Sequence, residues 1–178
     1  KTLVRNCPTV DPLTAEPFSR DPRQVAAKAE AYLRSTGIAD QCFIGAEAEF
    51  YLFDDVRYQV SPHNTFFSVD SPEAYWNTGR VEEGGNMGYK VPIKGGYFPV
   101  SPADKYADVR DEMSRLLEEV GLIIERAHHE VGSGGQQEIN YRFATLQTAA
   151  DDMMKFKYVI KHSALDFGHS ATFLPKPL

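Results

Sequence analysis

The sequence predicts an α+β fold, with antiparallel strands forming a sheet and helices flanking it. Three observations carry this. Three segments repeat apolar residues at helical spacing between start and stop signals. Three others are aromatic, β-branched or alternating in the manner of strands. Two of those are joined by Gly132-Ser133-Gly134-Gly135, a turn signal that makes them a hairpin. The 178 residues are room for one domain, and 42% hydrophobic with 25% charged residues can supply a core.

The elements follow in order. Asp21-Pro22 opens the first helix, because Asp21 can accept from free backbone N–H groups and Pro22 is preset for the first turn. Val25, Ala29, Tyr32 and Leu33 make its stripe, and Gly37 supplies a left-handed stop. Cys42 to Phe53 reads as one strand. Arg57 to Phe98 is rich in Gly, Asn, Pro and Tyr, and reads as long loops and short strands lying over a site. A second helix is expected from Ser101-Pro102 to Gly121, with Val109, Met113, Leu116, Leu117 and Val120 as its apolar stripe. Leu122 to Val131 and Glu138 to Phe143 form the hairpin strands. The third helix runs from about Thr148 to Phe167, burying Ala149, Met153, Phe156 and Ile160, with Gly168 behind it.

Composition excludes several classes of function. A formal charge of −6 argues against a nucleic-acid binder, whose phosphate contacts need clustered Lys and Arg. No basic stretch suits an anionic membrane surface, and no apolar run approaches the roughly 18 residues of a membrane span. Two cysteines are too few for a disulfide scaffold, so a reducing, cytoplasmic compartment is expected. The chain starts at Lys1 and stops just after Leu174-Pro175-Lys176-Pro177, without the look of natural termini, and is expected to be a fragment.

The chemistry lies in carboxylates. Glu47 and Glu49 stand two apart, so in a strand both would point to one face, about 6.7 Å apart along the chain. Like charges on one face of an apolar strand repel unless a cation or water compensates. The alternative is an exposed strand face with two solvated glutamates. The second cluster, His128-His129-Glu130 with Glu138, brackets the Gly-rich turn. His128 and Glu130 share a face by period two, and Glu138 enters on the returning strand. Glutamate oxygens with imidazole suit Mg²⁺ or Mn²⁺ better than Zn²⁺. Here the alternative is a solvated hairpin with a satisfied His pair. If the clusters face each other, four carboxylates line one cavity, tolerable chiefly around two divalent cations with a phosphate or carboxylate ligand beyond them. That combination suits phosphoryl transfer.

Other segments are less decisive. Lys94-Gly95-Gly96-Tyr97-Phe98-Pro99 is either a substrate-facing loop or a turn anchored by packed rings. Arg142 and Phe143 could serve a nucleotide as charge and ring, although plain core is the commoner role for such a Phe; Trp76 reads as packing. Neither a P-loop, nor GxGxxG, nor a nucleophile elbow occurs.

Gly45 to Asp54, Lys94 to Pro99, His128 to Glu138 and Phe173 to Pro177, in that order and at those gaps, resemble glutamine synthetase of the bacterial type I, in a wording nearest the actinobacterial versions. The resemblance covers essentially the whole chain. It implies ATP-dependent ligation of ammonia to the side-chain carboxylate of glutamate through γ-glutamyl phosphate, with Mg²⁺ or Mn²⁺. By the family's pattern Glu49, Glu130 and Glu138 hold the first metal, beside the glutamate, and Glu47 holds the second, on the ATP phosphates. Glu125 and Phe143 fall at the ribose and base, and His128 near the phosphates. Glu125 and Glu130 differ by an odd count, so a bulge is needed to bring Glu125 to the same face.

The resemblance also implies parts that these residues do not include: a His and a further Glu for metal, arginines that grip glutamate and ATP, and a small N-terminal domain. The chain thus reads as about half of a catalytic domain, expected to be inactive alone, from an enzyme built as a homo-oligomeric ring. Two rivals stand beside this: a ligase of the same superfamily joining glutamate to another amine such as a polyamine, and an inactive fragment kept for binding or assembly.

Overall fold

The computed structural model describes residues 3–81 and 85–178. They cluster into two compact units, one within Lys1–Ala46 and Arg142–Lys155, the other within Glu47–Tyr141 and Phe156–Leu178.

In the first unit, helix α1 spans Pro22–Thr36. Asp21 caps it by accepting the Arg23 N–H at 3.1 Å and accepts the Thr9 N–H at 2.8 Å. Gly37 ends it at φ +70°. None of the α1 residues is buried, and Val25 and Tyr32 are more than half exposed, so the expected stripe is uncovered among the described residues. Strand β1 (Phe43–Ile44) pairs antiparallel with β7 (Ala144–Thr145). Arg23 holds Asp151 of the long helix α3 (Leu146–Asp166) through two parallel hydrogen bonds of 2.9 and 2.7 Å.

The second unit is built on a four-stranded antiparallel sheet in the order β5-β6-β2-β8. Its strands are β2 (Glu49–Phe53), β5 (Ile124–His129), β6 (Gln136–Tyr141) and β8 (Ser170–Thr172). Phe50 and Leu52 of β2 and Ile139 of β6 are fully buried, as are Phe156 and Ile160 of α3 and Met113 and Leu117 of helix α2 (Ala107–Glu119). Phe50 meets Phe156 edge-on at 6.3 Å. Successive strand residues point to opposite faces, so the alternate residues Glu49, Tyr51, Gln136, Glu138 and Asn140 project from the other side.

Four expectations are corrected. Cys42–Phe53 is not one strand: β1 pairs with β7 but β2 pairs with β6 and β8, so the ladder breaks over residues 45–48. Helix α2 starts at Ala107, not Ser101, because Asp104 accepts the Tyr106 N–H at 3.2 Å and the Tyr106 side chain is committed to a buried contact with Ser71 at 2.8 Å. The reading of residues 57–98 as long loops and short strands understates a regular hairpin of two seven-residue strands, β3 (Asp55–Ser61) with β4 (Asn64–Asp70), paired from Asp55↔Asp70 to Ser61↔Asn64. The signal was present, since Val56, Tyr58 and Val60 alternate with Arg57 and Gln59. Strand β6 begins two residues before Glu138 and ends at Tyr141, ahead of the expected Phe143. Among the described residues no helix is long and apolar enough to cross a membrane.

Candidate metal centre

Strand register assembles the site. Glu138 on β6 is the Cα partner of Glu49 on β2 and of His128 on β5, so these three side chains stand in a row across one face. Glu130 lies just past β5, where its N–H donates to the Gln136 carbonyl at 2.8 Å and holds it beside the hairpin turn. His128 Nε2 is 2.5 Å from Glu130 Oε1 and 3.3 Å from Glu138 Oε2. Candidate ligand atoms of His128, Glu130 and Glu138 lie within 4.8 Å of one another, and all three residues are buried. Ligand atoms around one Mg²⁺ at about 2.1 Å span up to about 4.2 Å, so little contraction is needed to surround an ion.

Neighbours fix the carboxylates. Asn140 Nδ2 donates to Glu138 Oε1 at 2.7 Å and Gln136 Nε2 donates to Glu49 Oε2 at 2.6 Å. The Gly132 N–H donates to Gln136 Oε1 at 2.7 Å, which orients that amide with its NH₂ toward Glu49. The Val131 N–H donates to Glu130 Oε2 at 3.1 Å. Among the described residues, the His128 imidazole is set against Glu130 and Glu138. The charge imbalance shows in their acidity. Burial, then the charges of Glu130 and Glu47, push the Glu49 carboxyl above its ordinary value, with His128 opposing. Burial and Glu130 likewise raise Glu138 against the Asn140 hydrogen bond. Crowded and oxygen-rich, with His128, Glu130 and Glu138 buried and Glu49 exposed at the edge, this donor set fits a hard divalent cation such as Mg²⁺ or Mn²⁺.

The opposite face of β5 carries His129, fully buried and paired through Nε2 with the equally buried Glu73. Burial works against its charge, but Glu73 and the Glu130 and Gly96 carbonyls prevail and raise its pKa above the ordinary value. The Lys94–Pro99 segment packs on this strand end: the Gly96 N–H donates to the Val131 carbonyl at 3.2 Å and the Phe98 N–H to the His129 carbonyl at 3.3 Å. The Phe98 ring lies flat on His128 at 4.6 Å, and a Cβ at Gly96 would collide with the Glu130 carbonyl. The segment is thus a turn whose Tyr97 and Phe98 rings lie over His128 and stay more than half exposed.

Other expected residues are placed differently. Glu47 is exposed and lies outside any strand, so its two-residue spacing from Glu49 does not rest on strand geometry; its charge nevertheless reaches Glu49. Glu125 is exposed and sits where β5 slips register between Ile124 and Arg126, so strand alternation does not set its face. Phe143 belongs to the first unit, is 59% exposed and meets Phe43 edge-on at 5.5 Å, so plain core is corrected. Sequence reading missed the orienting roles of Gln136 and Asn140, although both flank Glu138 at period two. Glu73 gave no signal at all.

A family model described as "Glutamine synthetase, catalytic domain" matches residues 19–178. The chain belongs to this family. Glutamine synthetases of Frankia alni, Streptomyces coelicolor and Mycobacterium tuberculosis are 55%, 57% and 55% identical over the whole chain. That of Vibrio cholerae is 49% identical, in keeping with the actinobacterial wording. The chain spans 38% of the length of these curated relatives. The cryo-EM structure of Plasmodium falciparum glutamine synthetase superposes with a TM-score of 0.83 at 31% identity, covering 93% of this chain and 33% of that one. A GmaS/ADP complex shares the fold at a TM-score of 0.63 and 23% identity, covering 93% of this chain and 32% of that one. The mixed architecture of antiparallel sheet and helices is thus that of part of a glutamine synthetase catalytic domain.

Proposed function

We propose that these residues form the metal-holding part of a glutamate–ammonia ligase, and that both compact units belong to one catalytic domain. The observation that carries this is the row His128–Glu138–Glu49 across three strands, closed by Glu130, in a chain of the glutamine synthetase family. In the reaction, the side-chain carboxylate of glutamate takes the γ-phosphoryl group of ATP, and ammonia then displaces phosphate. A carboxylate is a poor electrophile until phosphate becomes its leaving group. Divalent cations, when bound, supply charge neutralisation for the phosphoryl oxygens.

The chain's own residues do the rest. Glu49, Glu130 and Glu138 would hold the cation nearer glutamate, and Glu47 the one on the ATP phosphates. Gln136 and Asn140 keep one oxygen of Glu49 and one of Glu138 engaged, aiming the other. His128 stands among the carboxylates on the phosphate side, while Glu125 and Phe143 are assigned to the ribose and base. The complete protein is read as a cytoplasmic ring of subunits with ATP, glutamate and ammonium as substrates. In that complete polypeptide, Glu130→Gln should abolish glutamine formation while leaving the far-ultraviolet circular dichroism unchanged. Turnover like that of the unaltered enzyme would overturn the assignment.

A further inference from the structure

We infer that Glu73 is a positioning residue for the metal centre, acting through His129 on the backbone of Glu130 and Gly96. The inference rests on the metal reading above and extends it to the reverse face of the sheet. The His129 ring is bonded to acceptors at both nitrogens. Nδ1 faces the Gly96 carbonyl at 2.7 Å and the Glu130 carbonyl at 2.7 Å, and Nε2 faces the Glu73 carboxylate. The two carbonyls fix an N–H at Nδ1, and Nε2 shares a hydrogen with Glu73, which sets the ring plane in a site with no exposed surface on either partner.

A pure packing role would be met as well by apolar side chains, since a buried ion pair often fails to offset its desolvation. What an apolar pair cannot do is hold two carbonyls. One belongs to Glu130, which lies just beyond the end of β5, where the Gln136 carbonyl engages its N–H and the His129 ring engages its carbonyl. The other belongs to Gly96, two residues before the Phe98 ring that covers His128. One imidazole thus ties a candidate ligand's backbone to the lid over its neighbour. Glu73 is itself held: its Oε2 accepts the Lys105 N–H at 3.3 Å, and its carbonyl accepts the Val91 N–H at 2.7 Å. The charge is therefore presented from a fixed platform 56 residues earlier in the chain.

The test is Mn²⁺ binding, read from the electron paramagnetic resonance of free Mn²⁺, alongside thermal melting in EDTA. The variants are Glu73→Ala, Glu73→Gln and, as the ligand control, Glu130→Gln. Partners that orient ligands from behind typically contribute about 10–100-fold in metal affinity. Glu73→Ala should weaken Mn²⁺ binding within that range. Glu73→Gln keeps an acceptor for Nε2 without the charge, so it should recover part of the loss. Should Glu73→Ala fail to fold, Glu73→Gln decides alone, with a loss of at least severalfold expected. Unaltered Mn²⁺ affinity in the Glu73 variants, with only the melting temperature lowered and with Glu130→Gln impaired, overturns the positioning role and leaves the metal reading standing. No Mn²⁺ binding by the unaltered protein overturns both.

Discussion

Replacing Glu138 by Gln should have opposite effects on the protein with and without metal. Glu138 is the centre of the row, 7% exposed, with candidate ligand atoms of Glu130 within 4.8 Å. Two unit charges at that separation repel by about 3 kcal/mol at an effective dielectric constant of about 20. The His128 imidazole and the Asn140 and Val131 donors relieve part of this, leaving about 1–2 kcal/mol. The substituted carboxamide keeps the shape and can still accept from Asn140, so in EDTA the variant should be more stable by that amount. For a chain of this size the melting temperature should rise by about 3–6 °C. Mn²⁺ reverses the preference. At a concentration 100-fold above its dissociation constant it stabilises the unaltered protein by about 2.7 kcal/mol. Partners behind a ligand contribute about 10–100-fold, so losing the ligand itself should weaken binding by at least about 100-fold, and the variant gains no more than about 0.4 kcal/mol under the same conditions. Calorimetry of both proteins in EDTA and in Mn²⁺ reads all four values. A lower melting temperature for the variant in EDTA refutes the repulsion, and equal Mn²⁺ increments refute the role as ligand.

Three further outcomes are expected. Arg110 of α2 joins Asp104 at 2.7 Å and the Gln137 carboxamide, all three buried, so Arg110→Met should cost about 3–5 kcal/mol in denaturant unfolding, and adding Asp104→Leu should recover most of it. A cost below about 1 kcal/mol would remove this network from the account of how β6 is held. His169 is pushed below its ordinary value of 6.5 by burial, with Asp54 opposing. The folded chain therefore gives up that proton more readily than the unfolded one, and the stability it contributes is present above pH 6.5 and lost as pH falls through the lowered folded value. His169→Asn should flatten the stability curve just below pH 6.5, and an unchanged slope there would assign the loss to other groups. In the complete polypeptide, Phe143→Ala should weaken ATP binding more than glutamate binding, measured by titration calorimetry; equal losses would remove the nucleotide contact.

Local features were legible because their causes are local. Asp21-Pro22 and Gly37 bound α1 through a side-chain cap, a fixed φ and a left-handed stop, all within a few residues. Gly132 to Gly135 turns the chain where Gly134 and Gly135 adopt φ of +94° and +98°, so the pairing of His128 with Glu138 followed from the hairpin itself. The residue types of the candidate metal set, two carboxylates and an imidazole around one turn, were equally plain, with a solvated hairpin as the alternative reading.

What only the tertiary structure decided is who stands opposite whom over long separations. Glu49 meets Glu138 because β2 inserts between β6 and β8, a choice of partners that no period within β2 encodes. The same choice breaks the expected Cys42–Phe53 strand, because its two halves serve different sheets. Glu73 reaches His129, and Arg110 reaches Gln137, through burial that depends on how loop and helix pack. Periodicity records which face of an element is apolar, whereas a buried polar contact is fixed by the single place where two distant groups can satisfy each other without water.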